Sequence, residues 1–256
     1  MRWRLVVEYD GRAFAGWQVQ PGQRTVQGEI ETAVERFVGH PVRVTAAGRT
    51  DAGVHAWGQV VSFTTDRERT PRQVIGALNA MLPPDVACIE AAAVSEDFDP
   101  RRWSWGKHYR YRFLSRGIRS PLREGRVWLL PMAVDVERMH AAAQHWVGRH
   151  DFTSFRAQGC AALHPVRTIE ALAVTQQGDE LHFDAHGQGF LRHMIRIMAG
   201  TLVDVGKGRR TVDWADELLR ARDRGLAGRT APACGLELVL AKFGDGPPPW
   251  AVDSDE

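Results

Sequence analysis

Arg2 to Tyr9 (RWRLVVEY) alternates side chains at the two-residue period of a strand with one buried face. Asp10-Gly11 signals a turn, and the following FAGWQVQPGQ reads as a loop from its glycines and proline. The period then changes. Thr25 is a good N-cap, and Val26, Ile30, Val34 and Phe37 recur at helical spacing to about Val38, where Gly39-His40-Pro41 stops the run. Val42 to Ala46 and Ala56 to Thr64 return to strand character, joined by a loop that holds Asp51. Pro71 opens a second helix through Leu78 to Met81, closed by Pro83-Pro84, and Val86 to Val94 is a further strand. The order β-α-β-β-α-β predicts a ferredoxin-like half.

The second half follows the same order. His108 to Leu114 (HYRYRFL) alternates strongly and predicts a strand, and Val134 to Val147 predicts a helix. Thr168 to Val174 and Glu180 to His186 form a predicted hairpin around Gln177-Gly178-Asp179. Phe190 to Val203 is a predicted helix with Phe190, Met194, Ile197 and Met198 on one face. Trp214 to Ala221 is another, and Leu236 to Phe243 a closing strand. The expected fold is therefore α+β: duplicated ferredoxin-like halves sharing a largely antiparallel sheet with helices on one face. The expected division is 1–104, carrying the Asp51 loop, 105–243, and a disordered acidic tail at 244–256 with three prolines and four acids. No residue-level similarity links the halves, so the duplication is one of pattern.

Composition narrows the class only a little. The chain has 256 residues, 44% hydrophobic and 25% charged, as a globular protein does. No window approaches the roughly 18 apolar residues of a membrane span. MRWRLVVEYD turns acidic too early for a signal peptide, so the expected compartment is the cytoplasm. Cys88, Cys160 and Cys234 lie far apart and read as reduced thiols. The net charge of +2 is unevenly spread. Between Arg101 and Arg126 nine basic residues face one acid, Glu124, so this segment carries +8 and the remainder −6. A segment of that sign points to a polyanionic partner, or to a solvated basic surface.

The candidates for chemistry are few. Asp51, between Gly48-Arg49-Thr50 and Ala52-Gly53, is either a reactive carboxylate on a loop or the cap of an Asx turn. Tyr109 and Tyr111 share one face of HYRYRFL while Arg110 and Arg112 share the other, as in sheets that stack bases and hold phosphates, or simply as core tyrosines. Arg196 lies between Ile195 and Ile197, where an inward charge needs a partner such as Asp51. His182 and His186, and the set His140, His145 and His150, lack ligand spacing, so no metal is expected. Neither GxxxxGK[ST] nor GxGxxG occurs, so no nucleotide cofactor is expected either, and GxSxG is missing too.

AAGRTDAGVHAWGQVVSF closely resembles the signature of tRNA pseudouridine synthases of the A type. EYDGRAFAGWQVQ is similar to that family's Tyr-Asp-Gly loop with Phe-x-Gly-Trp-Gln, and KHYRYRF to its basic-Tyr-x-Tyr strand. GRHDFTSFRA and GFLRHMIRIMAGTLVDVG resemble its His-Asp-Phe-x-x-Phe and Phe-x-x-x-Met-Val-Arg segments, in the same order along most of the chain. The resemblance implies isomerisation of uridine to pseudouridine at tRNA positions thirty-eight to forty in the anticodon arm, by a homodimer with no cofactor. It implies Asp51 as the catalytic aspartate. It also implies substrate contacts from Tyr109, which stacks on the uracil, Arg49, Arg196, His55 and Arg101, with Arg196 pairing the aspartate. Two departures stand out. Ala56-Trp57 replaces smaller or more polar residues, and FDPRRWS, which holds Arg101, matches the family's Phe-x-Ala-Arg only loosely.

Overall fold

A computed structural model describes residues 1–66, 68–244 and 248. The acidic tail expected at 244–256 lies almost entirely outside them. The chain divides into two compact units, Met1–Trp105 with the chain from Leu238 onward, and Gly106–Glu237.

In the first unit the strands are β1 (Arg2–Tyr9), β2 (Thr45–Ala46), β3 (His55–Thr64) and β4 (Val86–Val94), with helices α1 (Val26–Val38) and α2 (Pro71–Asn79). The sheet order is β4-β1-β3, followed by β10 (Leu236–Phe243), with β2 on β3. β1 runs antiparallel to both neighbours. Its alternation is visible in burial: Trp3, Leu5, Val7 and Tyr9 are buried while the residues between them are half-exposed. Thr25 caps α1 and Gly39 ends it at φ 93°, the left-handed backbone glycine tolerates. Thr70 and Gln73 form a capping box before α2. On the opposite side of the sheet, Ala47, Val60 and Phe98 form a smaller core with Trp103, Ala241 and Phe243. That contact explains why β10 belongs with this unit from Leu238 rather than with the chain that precedes it.

The second unit holds β5 (Ser104–Ser115), β6 (Trp128–Leu130), β7 (Gly148–Asp151), β8 (Val166–Gln177) and β9 (Glu180–Gly187), in the order β5-β9-β8-β7. Pairing is antiparallel except for β6, which runs parallel to β5. Helices α3 (Val136–Gln144), α4 (Met194–Gly206) and α5 (Trp214–Ala221) complete it. Trp146, Phe152 and Phe155 are fully buried, and the Trp146 indole N–H donates to the Ala215 carbonyl at 2.9 Å. α4 is buried almost all round, and a Cβ on Gly200 would lie 1.8 Å from the Arg229 carbonyl oxygen. That helix starts four residues later than the sequence predicts. His193 takes a left-handed φ of 61°, Met194 donates to Leu191 in a turn, and Phe190 stays outside the helix against Tyr109.

Candidate active site

Asp51 sits in the loop from β2 to β3. The Val54 amide donates to the Asp51 carbonyl at 3.1 Å, and Gly53 has φ 79°, closing a turn with its left-handed position on glycine. The main chain closes this turn, and Asp51 itself is half-buried.

A second loop, residues 10–17, lies directly against it. The Trp17 amide donates to the Thr50 carbonyl at 3.0 Å, and the Tyr9 hydroxyl lies 2.8 Å from Thr50 Oγ1. Gly16 has φ 97°, and a Cβ there would lie 2.9 Å from the Thr50 oxygen and 3.1 Å from the Ala52 nitrogen. Gly11 is closer still: its Cβ would stand 2.1 Å from the Val54 oxygen. From the other side, Gln59 Nε2 donates to the Gly48 carbonyl at 2.8 Å and Ala47 pairs with Val60. One extra residue on β3 between Ala56 and Gln59, opposite Val7 to Tyr9, makes a bulge beside this loop.

His55 is buried. The Gly11 amide donates to its Nδ1 at 3.2 Å, and Asp10 Oδ1 is 3.3 Å from the same nitrogen. That nitrogen accepts from Gly11 in one state of the ring and donates to Asp10 in the other. Here His55 joins the two loops of the first unit. Arg12 grips Asp10 through Nε at 3.0 Å and Nη2 at 2.6 Å. Burial acts to raise the Asp10 carboxyl, but the Arg12 hydrogen bonds outweigh it and hold it down to about 2. The folded value lies below the ordinary 3.8, so Asp10 contributes stability above about pH 4 that is lost as the pH falls toward 2. Urea midpoints of Asp10→Asn should therefore fall less steeply than those of the parent between about pH 5 and 2; equal slopes would remove Asp10 from the acid limb.

Arg49 is exposed on the Asp51 loop. Arg101 is exposed as well, and its amide donates to Asp99 Oδ1 at 2.8 Å in a turn that Arg102 shares.

The two tyrosines of β5 separate in role. Tyr111 is fully buried and donates its hydroxyl to the Pro232 carbonyl at 2.7 Å, so it belongs to the core. Tyr109 keeps 8% exposure, with the Phe190 ring edge-on at 5.3 Å. Arg196, half-buried on α4, donates from Nε to the Ala231 carbonyl at 2.9 Å, and the Ala231 amide returns a bond to the Arg196 carbonyl at 3.0 Å.

The basic segment is less free than its charge implies. On β5 the face opposite Tyr109 meets acids of β9: Arg110 bonds Asp184 at 2.9 Å and Arg112 bonds Glu180 at 2.6 Å. Arg116 and Arg123 both reach Asp179, at 3.0 and 2.6 Å. Four of the nine basic residues are thus neutralised within the second unit, while Arg101 and Arg119 remain exposed. Among the described residues no helix is long and apolar enough to cross a membrane.

The comparisons with known proteins converge on one class. A family model described as tRNA pseudouridine synthase matches residues 5–101 and 142–244. A tRNA pseudouridine synthase A of Myxococcus xanthus is 50% identical over 248 residues, 96% of this chain and 94% of its own length. Those of Methylobacterium nodulans and Caulobacter vibrioides are 50% and 47% identical, over 93% and 95% of this chain and 94% and 99% of theirs. These matches define an isomerase that acts on RNA. The chain belongs to the tRNA pseudouridine synthase family.

Proposed function

We propose that this protein isomerises uridine to pseudouridine at positions thirty-eight to forty in the anticodon arm of tRNA, with Asp51 as the reacting carboxylate. The observation that carries the reading is the setting of Asp51. It lies in the segment that matches the family signature, on a turn closed by main chain and braced by residues 10–17.

The reaction breaks the N1–C1′ glycosidic bond, turns the uracil, joins C5 to C1′ and releases the C5 proton. It is an isomerisation, so electrons balance without a redox partner. The carboxylate has two ways to act, as nucleophile at C1′ or as base on a ribose proton. Reaching C1′ requires turning the nucleotide out of its stack, a cost of a few kcal/mol. Stacking of the uracil on Tyr109 offsets part of it. Arg49, Arg101, Arg196 and His55 are proposed substrate contacts from the resemblance. A half-buried, carbonyl-bonded Arg196 and an exposed Arg49 suit holding a nucleotide, and the buried His55 suits holding the loop that meets it. The family resemblance also supports action as a homodimer in the cytoplasm.

Mapping pseudouridine in unmodified tRNA after incubation with the protein tests the proposal. Modification confined to positions thirty-eight to forty is expected; modification elsewhere in the tRNA would overturn the assignment of the anticodon arm.

A further inference from the structure

A buried pair of hydroxyls lies behind the Asp51 loop. Tyr9 stands at the end of β1, paired on one side with Ala56 and on the other with Val86, so its backbone is fixed by two strands. Its ring is buried beside Trp17, at 6.3 Å between centroids, and next to the fully buried Gln59. The hydroxyl ends 2.8 Å from Oγ1 of Thr50, the residue that precedes Asp51. Thr50 is held a second time by the Trp17 amide on its carbonyl. Both handles of residue 50, side chain and carbonyl, are thereby anchored, and the peptide that begins Asp51 is fixed at its N-terminal side.

The Tyr9 hydroxyl also bonds the side chain of the buried Gln59, so the contact belongs to a small buried polar cluster. Removing one member of such a cluster leaves its partners without a bond, so a change there costs stability as well as orientation. Apolar Phe and Val would fill the same space. What the contact adds beyond stability is orientation: it fixes the side chain of residue 50 while the Trp17 amide fixes its carbonyl. We infer that Tyr9 and Thr50 are positioning residues for Asp51, their hydroxyl contact delivering the carboxylate to the ribose in one orientation. This rests on the proposed role of Asp51, and the test separates the two.

Single-turnover tritium release from tRNA labelled at C5 of uridine, tRNA affinity by filter binding, and urea midpoints are measured for Tyr9→Phe, Thr50→Val, Thr50→Ser, the double variant Tyr9→Phe/Thr50→Val, and Asp51→Asn. Misplacing a reacting group by a fraction of an ångström slows chemistry about tenfold or more. Tyr9→Phe and Thr50→Val are each expected to slow release about tenfold with tRNA affinity within about twofold of the parent. Thr50→Ser, which keeps the hydroxyl, should keep the rate. The double variant should be no slower than either single one, because both remove the same contact. It should remain slow under conditions where its urea curve shows it fully folded, a combination that a purely structural role does not produce. Parental rates in Tyr9→Phe and in the double variant, with Asp51→Asn inactive, would overturn the positioning role and leave Asp51 in place. Release that slows only in step with a loss of folded protein would overturn it too. Activity in Asp51→Asn would overturn the role of Asp51 itself.

Discussion

Asp51→Asn protein should bind tRNA as the parent does and form pseudouridine at least about a thousandfold more slowly, the scale on which removing a reacting group acts. Asparagine keeps the shape of the side chain and removes its charge and basicity. The loop has main-chain anchors that asparagine leaves in place. Its turn is closed by the Asp51 carbonyl and the Val54 amide, and Thr50 is anchored by Trp17 and Tyr9. The variant should therefore keep the parent's urea midpoint and its affinity in filter binding while single-turnover conversion fails. Activity within about tenfold of the parent would remove Asp51 from the chemistry.

Gly11→Ala is expected to have the next largest effect, and for a different reason. The backbone of Gly11 is not left-handed, so alanine meets no conformational penalty there. The difficulty is space: the new Cβ would stand 2.1 Å from the Val54 oxygen, 2.4 Å from its carbon and 2.9 Å from its nitrogen. Those atoms are main chain and have no rotamer to yield. One of the two loops must shift, and Val54 is the residue whose amide closes the turn at Asp51. A shift of about 1 Å at a reacting group costs on the order of a hundredfold in rate, and overpacking of this kind costs about 1–3 kcal/mol in stability. Gly76→Ala is the control. It lies in α2 with no atom within 4 Å of its added Cβ, and alanine there should be neutral or stabilising by about 0.5–1 kcal/mol. Urea denaturation and single-turnover rates of the two variants check both statements; a Gly11→Ala enzyme with the parent's rate would show that the two loops are not coupled.

The parts of the fold legible in the sequence are those whose signals are local. β1, β4, α5 and β10 are read to the residue because alternation or helical period runs unbroken between turn residues. β6 and β7 leave no local signal, since three or four residues carry no period and exist only through the strands they join. The apolar spacing of α4 extends back to Phe190, although the backbone turns at His193 and the helix starts after it. The pairing of the basic segment is hidden for a similar reason. Counting along 101–126 finds a basic run, whereas Asp179, Glu180 and Asp184 reach it from the β8–β9 hairpin across more than fifty positions. Asp51 was legible only through its motif, since a lone aspartate between glycines fits an Asx turn as well. The brace behind it was not legible at all: Tyr9 and Thr50, and Gly11 and His55, are more than forty residues apart.

The most direct measurement is tritium released to water from tRNA carrying the label at C5 of uridine, incubated with the parent and with Asp51→Asn. Stoichiometric release by the parent, with pseudouridine as the product and background release by the variant, is the expected result. A well-folded parent that binds tRNA and releases no label would contradict the account, as would release matched by free uracil and abasic RNA.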